Sequence, residues 1–194
     1  MKHPTSRTLH AYWDRLRGER TAPERAEIEP GAIRHLLADS LILELDVPAR
    51  SATVRLAGTR VCALYGRELR GLPFSSLWGG HAPEPWRLVE AVALDTLGVV
   101  AGLRGANAAG ETIDMELLLL PLRHRGRTQA RALGTLSPGS TPHWIGLRPL
   151  SRADTTSLRV LTRHGPEAGD TRAPANDPGP MRRGHLLVHA GGRA

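Results

Sequence analysis

The chain has 194 residues, 40% of them apolar but only 4% aromatic, so its core must be built mostly from aliphatic side chains. One cysteine, Cys62, excludes an intramolecular disulfide, and no run approaches the roughly 18 apolar residues of a spanning helix, which leads us to expect a soluble, cytoplasmic protein with no membrane partner. The formal charge is +7 and Lys2 is the only lysine among 26 basic residues; this fits either a nucleic-acid partner or a GC-biased genome that replaces Lys by Arg.

The first element is a helix in TLHAYWDRLRG. Thr8 is placed to cap it and Gly18 to end it, and Leu9, Tyr12, Trp13 and Leu16 fall at i, i+3, i+4 and i+7 on one face. Residues 1–29 therefore read as an amphipathic helix and a polar linker. Two aromatics in one stripe, in a chain with so few, make this helix a candidate interaction surface. A second helix is expected in EPGAIRHLLADS, with Pro30 opening it and Ile33, Leu36 and Leu37 facing inward.

Strands follow at Ser40–Asp46 and Thr53–Ala57. Short helical pieces span Cys62–Trp78, and a longer helix covers Pro83–Leu97, with Trp86, Val89, Ala93 and Leu97 on one stripe. Three more strands read from alternation: Val99–Arg104, Thr112–Leu122 and Thr128–Ser137. Residues 141–164 are expected to form an extension with one short strand and a short helix. Residues 165–194 are rich in Gly, Pro and charge, and are expected to be disordered.

YGRELRGLPFSSLW carries two glycines, Gly66 and Gly71, with arginines between and beside them. A phosphate loop needs Lys and then Ser or Thr after the second glycine. Leu72 and Pro73 stand there instead, and Pro73 lacks an N–H. The glycines read better as stops for helical turns. Other chemistry is equally sparse. His185 and His189 stand four apart without a third ligand nearby, so no metal site is read. Asp114 and Glu116 share a strand face, and they read as solvated partners of neighbouring arginines rather than an acid–base pair. A basic patch is expected at Arg123, Arg125, Arg127 and Arg131, inside an arginine-rich stretch from Arg123 to Arg163.

Two strands, a helical crossing and three strands make a five-stranded antiparallel sheet with helices on one face, an α+β order. Together with HAYWDRLRG, EPGAIRHLLADSLILEL and RLAGTRVCALYGRELRG, this order resembles the PAS family, and within it small bacterial proteins carrying a single PAS-like domain. In the recognition stretch of that family the matching residues are Tyr65-Gly66, Glu68-Leu69 and Gly71. The family's Asn after the second strand is replaced by Gly58-Thr59, where Thr59 is expected to cap the next helix. The resemblance covers about residues 8–140, with a PAS-like domain drawn at 30–140.

The resemblance implies a non-catalytic sensory or regulatory module working through a small molecule, a signalling partner or a second copy. It places a ligand pocket among Leu64, Tyr65, Leu77, Trp78, Leu94, Met115 and Leu117. Haem is disfavoured because the long helix has no His, although His81 lies just before it. Covalent flavin is disfavoured because Cys62 precedes the motif glycines, where the reactive Cys of light sensors follows them. The cofactor is otherwise unknown. The alternative reading is a basic nucleic-acid-associated protein using Arg123–Arg163.

Overall fold

A computed structural model describes residues 1–79, 84–161, 181–183 and 186–188. Met1–Arg163 form one compact unit, and His164–Ala194 are a second. The first unit is a six-stranded, wholly antiparallel sheet: β1 (Ser40–Asp46), β2 (Ser51–Ala57), β3 (Gly98–Asn107), β4 (Thr112–His124), β5 (Arg127–Pro138) and β6 (Leu150–Leu161), in the spatial order β2-β1-β5-β4-β3-β6. In the second unit, β7 (Met181–Arg183) pairs antiparallel with β8 (Leu186–Val188), where disorder is expected from composition. The rest of 165–194, with His185 and His189, lies outside the described residues.

All five expected strands are present. The sixth corrects the expected count of five and the short strand foreseen in 141–164. β6 runs 12 residues beside β3, with Ala153 opposite Gly105 and Arg159 opposite Val100. Its burial does not alternate cleanly: most of its residues are exposed, and Thr156 is left over between the Leu103–Thr155 and Gly102–Ser157 pairs. That bulge breaks the period-2 pattern on which a strand is recognised.

The sheet is covered on both faces, which corrects the expectation of helices on one. On one side lie α2 (Thr59–Tyr65), a 3-10 turn at Phe74–Trp78 and α3 (Glu84–Leu94), with α3 packed on β3, β4 and β5. On the other lies α1 (Pro4–Arg17), against β4 and β5. Its Leu9, Tyr12 and Trp13 join Ile42, Val100, Leu118, Leu120, Leu122 and Leu133 in a core, and Leu16 packs at its margin. In β4 the pattern of buried Ile113 and Met115 between polar neighbours gives way to an unbroken buried run from Leu117 to Leu122. A strand buried on both sides has no polar face to show, so its alternation disappears.

The stripe of α1 is therefore core, and the expected interaction surface is corrected. Trp13 Nε1 donates to Pro121 O at 2.8 Å, and Tyr12 Oη accepts from the Glu29 N–H at 2.9 Å. The linker does not release the helix: Arg123 N–H donates to Pro23 O, Ala22 is fully buried, and Arg20 holds Glu27 through two bonds of 2.8 and 2.9 Å. α1 begins earlier than expected, with Pro4 at its first turn and His3 Nδ1 accepting from Thr5 N–H. Thr8 lies inside it, its hydroxyl donating to Pro4 O. Gly18 ends it at φ 54.

The expected second helix is instead a 3-10 helix, Arg34–Asp39. Three residues per turn align Ile33, Leu36 and Asp39, which are buried, and turn Leu37 outward to 37% exposure. Thr59 does not cap α2; Gly58 holds the cap position with no side-chain bond. A Cβ at Gly58 would overlap the Leu37 and Ala38 carbonyls, so this crossing admits only glycine.

Candidate functional site

The residues around the two motif glycines form the layer between sheet and helices. Gly66 ends α2 in the left-handed region at φ 60, and Gly71, at φ 83, donates its N–H to Val54 O at 2.7 Å. The chain thus doubles back along β2, and Pro73 bridges Thr53. The glycines stop helical turns, as the sequence implies.

Six of the seven expected pocket residues are buried here: Leu64, Tyr65, Leu77, Trp78, Met115 and Leu117. Leu94 is not. It is the last residue of α3 and stands 44% exposed, which corrects its place in the pocket. Thr155, Leu103 and Met115 are cross-strand neighbours on β6, β3 and β4, and the Trp78 indole N–H donates to Thr155 Oγ1 at 3.2 Å. Phe74 meets Trp78 edge-on, with centroids 5.1 Å apart. Gly105 leaves room for Met115 and Leu150, whose tips would touch a Cβ there.

Three polar atoms in these helical elements are buried with no hydrogen-bond partner among the described residues: Tyr65 Oη on α2, Ser76 Oγ on the 3-10 turn, and Trp86 Nε1 on α3. Each such atom costs about 1–3 kcal/mol relative to its hydrated state. Burial also pushes the Tyr65 hydroxyl well above its ordinary pKa, with Arg67 opposing weakly, so it stays a neutral donor. Sequence reasoning missed Ser76 and Thr155. Trp86 and Tyr65 carried a usable signal, since a buried indole or phenol normally finds a partner. Cys62 is half-buried and free; burial pushes its thiol up, while the Leu69 backbone bond opposes and Glu68 adds to the rise, so it is a poor nucleophile at neutral pH. His81 lies outside the described residues. Among those described, no cluster of His, Cys, Asp and Glu could hold a metal, and no helix is long and apolar enough to cross a membrane.

The expected basic patch is divided by the fold. Arg123 forms an ion pair with Glu24 at 3.3 Å, Arg125 sits exposed in the β4–β5 turn at φ 53, and Arg131 lies on the α1 side of the sheet opposite Glu44. Arg127 opens β5. Further along, Arg148 pairs with Glu111 at 3.0 Å and Arg152 approaches Asp154 at 3.8 Å. The arginine-rich stretch is thus partly neutralised rather than one cationic face. The acidic pair also separates. Asp114 binds Arg104 at 2.8 Å, as expected of a solvated strand partner. Glu116 instead accepts the Lys2 and His3 N–H groups at 2.6 and 3.0 Å, which anchor the start of α1.

A family model described as a PAS domain matches residues 1–137. No curated protein matches the chain. Among solved structures it is similar to one titled "Structure of an RNA-binding Light-Oxygen-Voltage Receptor", at 18% identity and a TM-score of 0.43, over 64% of this chain and 36% of that one. The chain thus spans about a third of that receptor's length. The match of the family model takes in α1, its linker and β1 to β5, and on it this chain belongs to the PAS-domain family.

Proposed function

We propose that this PAS domain is a non-catalytic sensory or regulatory module that holds a small molecule between the sheet and the α2–α3 layer and passes its occupancy to a partner. The observation that carries the reading is the set of three unpartnered buried atoms, Tyr65 Oη, Ser76 Oγ and Trp86 Nε1, on the three helical elements over that part of the sheet. A ligand carrying one or two hydrogen-bonding groups on an otherwise apolar body would satisfy them, which is the usual composition of a small-molecule site. Trp78, bonded to Thr155, would couple such a ligand to β6.

The test is native mass spectrometry of the purified chain, followed by identification of released compounds. The reading expects an added small mass that is retained by the wild type and reduced by Tyr65→Phe together with Ser76→Ala. A bare chain from several expression hosts, with no compound of a diverse library raising its melting temperature, would refute it.

A further inference from the structure

On the other side of the sheet, beyond the cover of α1, lies a groove of about 370 Å³. Four arginines from four separate segments line it: Arg25 from the linker, Arg55 from β2, Arg70 from the loop after α2, and Arg131 from β5. Its floor is apolar, made of Ile42, Leu56 and Ala57, and Leu56 is 42% exposed. Arg55 reaches it through a bulge, because the β1–β2 register passes from Leu43–Val54 to Ile42–Leu56 and leaves Arg55 over.

The charges in this groove are poorly compensated. Among the described residues, Arg25, Arg70 and Arg131 form no side-chain ion pair, Arg25 Nε is buried without a partner, and Arg55 has a loose contact of 3.7 Å with Glu44. Glu68 is the one acid among the described residues of the lining, and its carboxylate already accepts the Arg70 N–H at 2.9 Å and faces Cys62 Sγ at 3.7 Å. Next to Arg131, His124 is held below its ordinary pKa, by desolvation first and then by Arg131 and Arg125, against the pull of Glu24 and Glu44. Gathering like charges around one hollow is costly unless an anion sits among them. Guanidinium groups bind phosphate oxygens in pairs, and their planes lie well on flat rings.

We propose that this groove binds a nucleoside polyphosphate, with the phosphates between Arg25, Arg70 and Arg131 and the base against Leu56 and Ile42. A small anion of one charge would leave most of the arginines opposed, and the volume is at the lower end of that for a small-molecule site and too small for a folded partner. The site is separate from the layer proposed above, and neither depends on the other.

The experiment is calorimetric titration of the full chain at low salt with ATP, GTP, adenosine, inorganic triphosphate and a short single-stranded oligonucleotide. ATP or GTP is expected to bind at least about tenfold tighter than adenosine or inorganic triphosphate, a difference of one decade in Kd. Arg25→Gln with Arg131→Gln should weaken it by at least about tenfold. Arg70→Glu, on an exposed loop residue, should do the same with an unchanged melting curve, so misfolding cannot imitate the result. The proposal is overturned if neither nucleotide binds at about 1 mM, a threshold of weak association. It is equally overturned if inorganic triphosphate matches ATP, if the variants bind like wild type, or if the oligonucleotide binds tighter than ATP in proportion to its length, which would mark nucleic acid.

Discussion

The two faces of the sheet are filled by different means. On the α1 face the aromatic polar groups of the helix are answered, Trp13 by Pro121 and Tyr12 by Glu29, and Glu116 accepts two backbone N–H groups, while the buried Thr135 and Ser137 hydroxyls have no partner among the described residues. On the α2–α3 face the elements are shorter, two of them are joined through glycines with positive φ, and three buried polar atoms stand without partners. What differs is the aromatic groups: the α1 face gives its indole and its phenol backbone partners. The α2–α3 face leaves an indole and a phenol, Trp86 and Tyr65, without one among the described residues, where such groups normally find a partner.

The sharpest way to break this comparison is Trp13→Ala. Truncating a buried Trp typically costs about 3–5 kcal/mol, and here it also strands the Pro121 carbonyl. Chemical denaturation should show that loss, with no separate change of oligomeric state. A variant that keeps its stability but shifts in sedimentation would return the stripe to an interaction role. Leu117→Ala and Leu118→Ala make a matched pair, adjacent, both fully buried, and on opposite faces. Each should cost about 2–5 kcal/mol. A Leu118→Ala cost below about 1 kcal/mol would mean that α1 does not seal its face.

Smaller effects refine the contrast. Burial works to raise the Glu116 carboxyl, but the Lys2 and His3 N–H groups outweigh it, so the group titrates below its ordinary range. A depressed carboxylate adds stability above its unfolded pKa and loses it as pH falls through the lower folded value. The α1 anchor should therefore weaken in acid, and Glu116→Gln should remove that part of the pH dependence. Solvent screening keeps the effect below about 1 kcal/mol. Opposite in sign is Tyr65→Phe in the ligand-free protein: removing an unpartnered hydroxyl should raise stability by about 1 kcal/mol, the lower end of the cost of such an atom. A loss above about 2 kcal/mol would mean that the hydroxyl is bonded.

Much of the α2–α3 face was legible in the sequence. Alternation placed the strands, and the Gly66 and Gly71 stops gave the turns that carry Tyr65 and Trp78 into the core. The α1 face was harder, because a stripe such as Leu9, Tyr12, Trp13 and Leu16 says that a surface is covered, not by what. The covering was written elsewhere, in the unbroken Leu117–Leu122 run, which needs two buried faces. β6 escaped because a bulge at Thr156 and exposed neighbours erase its period. Leu94 was misplaced because it follows Ala93 by one residue, about 100° round the helix from the buried stripe of Val89 and Ala93. The arginine groove was invisible for a different reason: its four members are spread from residue 25 to residue 131, and only the fold brings them together.

The most direct test of the account is the set of four tryptophan indole N–H resonances, followed by nitrogen–proton correlation spectra of the protein as purified and after any bound compound is stripped by unfolding and refolding. Trp86 and Trp78 report on the α2–α3 layer and Trp13 on the α1 face. The account predicts that stripping shifts the Trp86 and Trp78 signals, speeds solvent exchange at Trp86, and leaves Trp13 in place. Identical spectra, or a change centred on Trp13, would contradict it.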